Sequence, residues 1–243
     1  MKDTYFKLIE NRKIAKNTYF CVLEGDTSDI TASGQFVNIK LDGFYLRRPI
    51  SVCDVEGNKL TLIYKSVGAG TEVMAKTEAG ANWLVLTGLG NGYDTSKSGN
   101  LPLLIGGGAG VPPMYYLCKK LIAEGKHPTV ILGFGSRDEI FFKKEFADIG
   151  AKVIVTTVDG TEGVKGFVTD AMKDIDYTYF YTCGPEPMLK AVYEKSLTGG
   201  QFSFEERMGC GFGACMGCTC KTKYGNKRIC RDGPVLEKEE IIW

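Results

Sequence analysis

Apolar positions in the first hundred residues come in short, partly alternating runs. Tyr19-Phe20-Cys21-Val22-Leu23, Phe36-Val37-Asn38-Ile39-Lys40-Leu41 and Lys59-Leu60-Thr61-Leu62-Ile63-Tyr64 are each bounded by Gly, Asp or Asn. That pattern predicts strands, and several short strands at this spacing predict a small antiparallel β-barrel over residues 1–98. Gly88-Leu89-Gly90-Asn91-Gly92-Tyr93 leads into a polar run from Asp94 to Asn100, which reads as an interdomain linker.

The pattern changes over residues 101–200. Leu101-Pro102-Leu103-Leu104-Ile105 ends in glycines, and a helical period follows from Pro112 to about Glu124. Thr129–Phe134, Lys152–Thr157 and Tyr177–Thr182 read as further strands, with helices near Lys143–Ile149 and after Pro185. Strands alternating with helices predict βαβ units and a parallel sheet, hence an α/β nucleotide-binding domain. Residues 201–243 form a cysteine-rich tail that ends in a charged, extended segment.

Length and charge narrow the class. A chain of 243 residues suits two small domains plus a tail. Thirty Lys and Arg against 29 Asp and Glu leave a net charge of +1, so bulk charge implies no nucleic-acid or membrane surface. No apolar run approaches the length of a membrane span, and Met1-Lys2-Asp3-Thr4-Tyr5 lacks the apolar core of a signal peptide. The expectation is a cytoplasmic protein. The nine cysteines fit that compartment, because their number is odd and five crowd into residues 210–243.

The cysteines carry the strongest chemical signal. Cys210-x4-Cys215-x2-Cys218 matches plant-type [2Fe–2S] spacing, with Cys230 as the fourth ligand. Gly209, Gly211, Gly213 and Gly217 would permit left-handed backbone and bring N–H groups close to sulfur. A four-cysteine zinc site is the competing reading, but such sites usually show two Cys-x2-Cys pairs, and here there is one. Cys220 could reach the same face as Cys218, yet the spacing is complete without it. Cys21, Cys53 and Cys118 sit in apolar patterns and are expected in the core.

Two further segments suit dinucleotides. Arg48, at the end of Leu46-Arg47-Arg48-Pro49-Ile50-Ser51, offers a cation for a flavin pyrophosphate, and Ser51 a hydrogen bond near the flavin ring. Gly68-Ala69-Gly70-Thr71, following Tyr64-Lys65, opens a short helix at about Thr71–Ala75 whose N–H groups suit the same pyrophosphate. Each piece alone is what a surface turn or loop also shows, whereas their order and spacing together favour flavin. The run Gly106-Gly107-Gly108-Ala109-Gly110-Val111-Pro112 is a strand, glycine loop and helix start, although Pro113 stands where a dinucleotide fingerprint would have its third glycine. Cys183-Gly184-Pro185 follows a buried-looking strand at the edge where open α/β sheets bind ligands. Gly135-Ser136-Arg137 either touches an adenosine ribose or is an ordinary loop. His127, the only histidine, lies in a loop-like segment, and no nucleophile–base arrangement can be built on it. Electron exchange between nicotinamide and flavin requires alignment rather than a protein acid or base, so this lack fits a redox reading.

In this order the motifs resemble the ferredoxin-reductase-like flavoproteins, and most closely the family of electron-transfer subunits of dihydroorotate dehydrogenase B. The most specific stretch is Glu205-Glu206-Arg207-Met208-Gly209-Cys210-Gly211-Phe212-Gly213-Ala214-Cys215-Met216-Gly217-Cys218, followed by Cys230-Arg231-Asp232-Gly233-Pro234-Val235. Arg47-Arg48-Pro49-Ile50-Ser51 and Gly88-Leu89-Gly90-Asn91-Gly92-Tyr93 are also similar to the family. The resemblance implies FAD bordered by Arg48, Pro49, Ile50 and Ser51, with Tyr64 and Lys65 beside it and Gly68, Gly70 and Thr71 at its pyrophosphate. NAD would lie against Gly107, Gly108, Gly110, Cys183, Gly184 and Pro185. One [2Fe–2S] cluster would be held by Cys210, Cys215, Cys218 and Cys230. It further implies an FMN-containing catalytic partner that oxidises dihydroorotate, with two copies of each subunit in a heterotetramer; the tail, with few strands of its own, is expected to pack on that partner. The alternatives are a related subunit serving ferredoxin–NADP exchange, sulfur reduction or a hydrogenase, and a non-enzymatic binding protein with structural zinc.

Overall fold

A computed structural model describes residues 1–243. Six strands close the barrel: β1 (Lys2–Ala15), β2 (Thr18–Glu24), β3 (Phe36–Lys40), β4 (Arg48–Glu56), β5 (Lys59–Lys65) and β6 (Asn82–Leu89). Their spatial order is β1-β2-β5-β4-β3-β6, with every pair antiparallel. Alternation puts Leu8, Cys21, Leu23, Val37, Ile39, Leu62 and Val85 inside, all of them buried. Closure removes the unpaired edges that an open sheet of this size would expose. A short helix, α1 (Ala69–Lys76), plugs one end, where Asn11 Nδ2 donates to the carbonyls of Met74 and Thr77.

The second half builds a seven-stranded sheet from β7 (Pro102–Gly107), β8 (Thr129–Phe134), β9 (Lys152–Thr157), β10 (Val164–Lys165), β11 (Tyr179–Cys183), β12 (Gly200–Ser203) and β15 (Val235–Glu237), in the order β10-β9-β8-β7-β11-β12-β15. The first six are parallel and β15 is antiparallel. Helices α2 (Val111–Ala123), α3 (Lys143–Asp148), α4 (Val168–Ala171) and α5 (Glu186–Lys195) connect these strands. The remaining elements are the hairpin β13 (Thr219–Thr222) and β14 (Gly225–Arg228), and α6 (Ile229–Asp232).

Three differences from the sequence reading matter. The expected linker is a packed joint: Gly88 and Leu89 still belong to β6, Tyr93 is buried, and its hydroxyl donates to the Thr182 carbonyl at 3.2 Å. The sheet does not stop at residue 200, since β12 runs on to Ser203 and the tail supplies β15. The tail also has its own anchors in this chain, because Cys218, Ile229 and Cys230 pack with Leu103, Phe180 and Leu236 in one apolar cluster. The barrel and the sheet meet through α2, where Lys119 Nζ reaches Asp54 at 2.6 Å and Glu56 at 2.7 Å on β4. No helix is long and apolar enough to cross a membrane.

Candidate functional site

A cavity of about 550 Å³ lies between the barrel, the sheet and the tail. Arg47, Arg48, Pro49, Ile50, Ser51, Tyr64, Lys65 and Thr71 are on its barrel side. Strand register explains the grouping: Pro49 and Ser51 alternate outward on β4, opposite Asn38 and Phe36 of β3. The two adjacent arginines have different fates. Arg47 is held by Asp3 through two bonds of 2.8 Å. Arg48 has no carboxylate partner, donates only to the carbonyls of Leu46 and Arg47, and lies over the Phe44 ring. A Cβ on Gly70 would sit 2.0 Å from Arg48 Nε, so glycine at 70 lets this guanidinium rest against the helix start without moving aside.

The first turn of α1 adds donors. Thr71 Oγ1 accepts from the N–H groups of Val67 and Gly68, which folds the loop back on itself. The N–H groups of Ala69, Gly70 and Thr71 find no acceptor within the chain. An unpaired guanidinium beside orphan N–H groups at a helix N-terminus is a fit for a diphosphate. Tyr64 plays another part. Its hydroxyl donates to Asn11 Oδ1 at 2.9 Å and its ring stacks on Tyr19, so it braces the wall.

A second cavity of about 500 Å³ opens beside the first, and Gly107, Gly108, Gly135, Thr156, Pro185 and Met188 are among its walls. The expected nucleotide residues are therefore divided. Gly107, Gly108 and Pro185 face the second cavity, while Gly110, Cys183 and Gly184 face the first. The two spaces adjoin here: a Cβ on Gly184, which lines the first, would lie 3.3 Å from Gly107 Cα, which lines the second. Burial pushes the Cys183 thiol up to about 12, partly offset by a hydrogen bond with Ser203, so this thiol stays uncharged at neutral pH. Thr156 lines the second cavity, and its Oγ1 is buried with no partner. Lys65 lines both cavities and pairs with Glu139 at 3.0 Å. Ser136 and Arg137 do not line either one. Ser136 donates to Asp138, and Arg137 is tied to Thr161 and Glu162.

The four cysteines form two pairs. Cys210 and Cys215 share side-chain and backbone hydrogen bonds, with Cys210 N–H 3.5 Å from Cys215 Sγ. Cys218 and Cys230 do likewise, with Cys230 N–H 3.4 Å from Cys218 Sγ. No group of three or more His, Cys, Asp or Glu side chains is arranged to hold a single metal ion. Two thiolate pairs suit a binuclear iron–sulfur cluster with two cysteines on each iron, whereas zinc requires four ligands at one point. Burial opposes ionisation of Cys210, but N–H groups of Cys215, Phe212 and Ala214 outweigh it and bring the thiol down to about 6. Burial and the Cys218 side chain push Cys230 up to about 12. Of the four loop glycines, only Gly211 and Gly213 have positive φ, at 80° and 90°; Met216, not a glycine, supplies a third left-handed residue at 61°. Cys215 is exposed while Cys218 and Cys230 are buried, so the group has one edge at the surface beside exposed Phe212 and Met216. Cys220 points elsewhere, into a separate cavity beside Trp243.

Sequence reasoning missed two groups here. Ser203, Phe204, Glu205 and Met208 of the tail close the first cavity, which no local pattern announces. Asn38 and Asn91 hold the tail to the barrel. A polar residue within the apolar run Phe36–Ile39 was the available signal for Asn38.

A family model described as the iron–sulfur cluster binding domain of dihydroorotate dehydrogenase B matches residues 205–242. A second, an oxidoreductase NAD-binding domain, matches residues 104–194. The chain is 40% identical to the dihydroorotate dehydrogenase B (NAD(+)) electron transfer subunit of a Geobacillus species, covering 100% of this chain and 99% of that one. It is 41% identical to the subunit of the same name from Bacillus pumilus, covering 99% and 98%. Among solved structures, a chain of an NADH-dependent reduced ferredoxin–NADP oxidoreductase superposes with a TM-score of 0.90 at 29% identity, covering 98% of this chain and 90% of that one. A ferredoxin NADP+ reductase from Neisseria gonorrhoeae, at 17% identity and a TM-score of 0.70, covers 80% and 90% and shares the fold.

Proposed function

The chain belongs to the family of electron transfer subunits of NAD-dependent dihydroorotate dehydrogenase B, and from that premise we propose how its residues carry electrons between a catalytic partner and NAD+. It is an oxidoreductase subunit with a ferredoxin-reductase-like fold that uses FAD, an iron–sulfur cluster and NAD. When bound, FAD exchanges electron pairs with the nicotinamide and single electrons with the cluster.

The residues divide the work as follows. Arg48 and the N–H groups of Ala69, Gly70 and Thr71 hold the FAD diphosphate. Pro49, Ile50, Ser51 and Tyr64 form the wall against its ring, with Gly68 giving the loop its turn. Gly107 and Gly108 approach the NAD diphosphate, and Pro185 borders the same cavity. Gly110, Cys183 and Gly184 line the first cavity on the side where it adjoins the second, and Cys183 presents a neutral thiol there. Lys65 serves both cavities. Cys210, Cys215, Cys218 and Cys230 hold a [2Fe–2S] cluster. Residues 1–98, 101–200 and 201–243 then correspond to the flavin, nucleotide and cluster units, with one strand of the last returned to the sheet. The partner is an FMN-containing subunit that oxidises dihydroorotate in pyrimidine biosynthesis. The assembly is a heterotetramer of two copies of each, located in the cytoplasm, and the surface edge at Cys215 faces the partner.

The observation that carries this reading is that the two cavities adjoin, with Lys65 lining both and Gly184 of the first packed on Gly107 of the second, while the cysteine tail closes the first. A nicotinamide and a flavin brought to that junction are aligned for exchange without a protein acid or base. Co-expression with the FMN subunit tests it. The purified complex is expected to reduce NAD+ with dihydroorotate, whereas either subunit alone should not. A complex that instead exchanges electrons only between ferredoxin and NADP+ would favour the second reading, for which the 29% identical relative is the support.

A further inference from the structure

Strand β3 contains a residue whose burial the barrel does not explain. Val37 and Ile39 point into the barrel core, so Phe36 and Asn38 point outward. An outward asparagine on a barrel strand is ordinarily wet, yet Asn38 is 1% exposed. The cover is the cysteine loop: Asn38 Nδ2 donates to the Cys210 carbonyl oxygen at 3.3 Å, the barrel's one side-chain hydrogen bond to that loop. A Cβ on Gly211 would lie 2.4 Å from the same nitrogen, so the glycine beside Cys210 leaves the space that Asn38 occupies. Asn38 Oδ1 is buried without a partner, a cost that an apolar residue would avoid. On the neighbouring strand, Asn38 stands opposite Pro49, which lines the first cavity.

Resting on the functional reading above, we infer that Asn38 is a positioning residue for the electron path: it fixes the Cys210 end of the cluster loop against the flavin wall and favours the reduced cluster. Reduction adds negative charge to the cluster. A donor that neutralises the carbonyl of a ligand residue lowers the cost of that charge, as hydrogen bonding and local charge around such clusters do generally. Asn38→Asp keeps the shape, removes the donor and adds an acceptor. Asn38→Ala removes the side-chain amide alone.

The test is a redox titration of the full chain loaded with iron and flavin, read by the electron paramagnetic resonance signal of the reduced cluster. Asn38→Asp is expected to shift the one-electron cluster equilibrium toward the oxidised form by about threefold or more, roughly 30 mV at 59 mV per tenfold. Asn38→Ala should shift it in the same direction by less, and the flavin potential should stay at its parent value in both. A residue that merely stabilises the fold would lower the melting temperature and leave the cluster potential alone. Should the aspartate variant fail to load iron, Asn38→Ala and Asn38→Ser carry the same measurement. Iron-loaded variants that titrate at the parent potential would overturn the inference while leaving the family reading intact. A parent chain with no reducible cluster would overturn both.

Discussion

The barrel wall and the cysteine loop hold their functional groups by opposite means. On the wall, Pro49 and Ser51 are placed by strand alternation on β4, and pairing with Asn38 and Phe36 of β3 fixes their register. The loop from Met208 to Gly217 has no regular structure. It is held by N–H groups turned toward sulfur, by Arg228 donating to the Gly213 carbonyl at 3.0 Å, and by contacts from outside itself. A wall of this kind tolerates the loss of one side chain because the ladder remains. The loop depends on each anchor, and on the metal that its thiols are arranged to bind.

Removing a cysteine separates the two regions most sharply. Cys215→Ser should abolish cluster absorption and electron delivery from the partner, while flavin content and reduction of the flavin by NADH persist. Visible spectra of the purified variant check this, and loss of flavin together with iron would show that wall and loop are not independent. The next effect belongs to the wall's free cation. Arg48→Met should weaken FAD binding by about 2 kcal/mol, the worth of a hydrogen bond to a charged group, or roughly thirtyfold in Kd. Arg47→Met should weaken FAD binding less than Arg48→Met, by about threefold or under in Kd, because Arg47 lines the same cavity but its charge is already met by Asp3. Flavin release followed by fluorescence distinguishes the two.

Asn91 bridges the regions. Its Nδ2 donates to the Val235 carbonyl at 2.8 Å, and its Oδ1 accepts from the Val235 N–H at 3.1 Å. Asn91→Ala should cost about 1–2 kcal/mol of stability and release the tail first, seen as faster amide exchange in β15 than in β1. The smallest effect lies at the α2–barrel contact. The Lys119 ammonium, through its hydrogen bond and its charge, holds the Glu56 carboxyl below its ordinary value. A depressed carboxyl stabilises the fold above its unfolded value near 4.5 and loses that contribution as pH falls through the lower folded value. Wild type should thus exceed Glu56→Gln, which leaves the Lys119–Asp54 pair in place, by less than about 1 kcal/mol at neutral pH, because Glu56 is largely exposed, and the gap should close in acid. A gap that widened in acid would contradict the pairing.

The same contrast decides what was legible in the sequence. Period-two runs exposed the barrel, and alternating apolar runs and helices exposed the parallel sheet, because both patterns are local. The cysteine spacing was legible because cluster geometry imposes it on neighbouring residues. What stayed hidden was long-range. Tyr93 bonds to Thr182, Asn91 to Val235 and Asn38 to Cys210, and nothing near any of them in sequence announces the partner. The division of Gly107–Gly110 between two cavities was hidden for the same reason, since it depends on how β11 approaches β7. Met216 shows a further limit: glycines mark where left-handed backbone is easy, but the loop also places a methionine there.

The most direct test of the central claim is the anaerobic visible spectrum of the full chain, loaded with FAD and iron, before and after NADH. The account predicts flavin bands and broad cluster absorption, both bleached by NADH, with dihydroorotate acting only once the catalytic subunit is added. A flavin that NADH bleaches beside a cluster that stays oxidised would contradict an electron path through this chain.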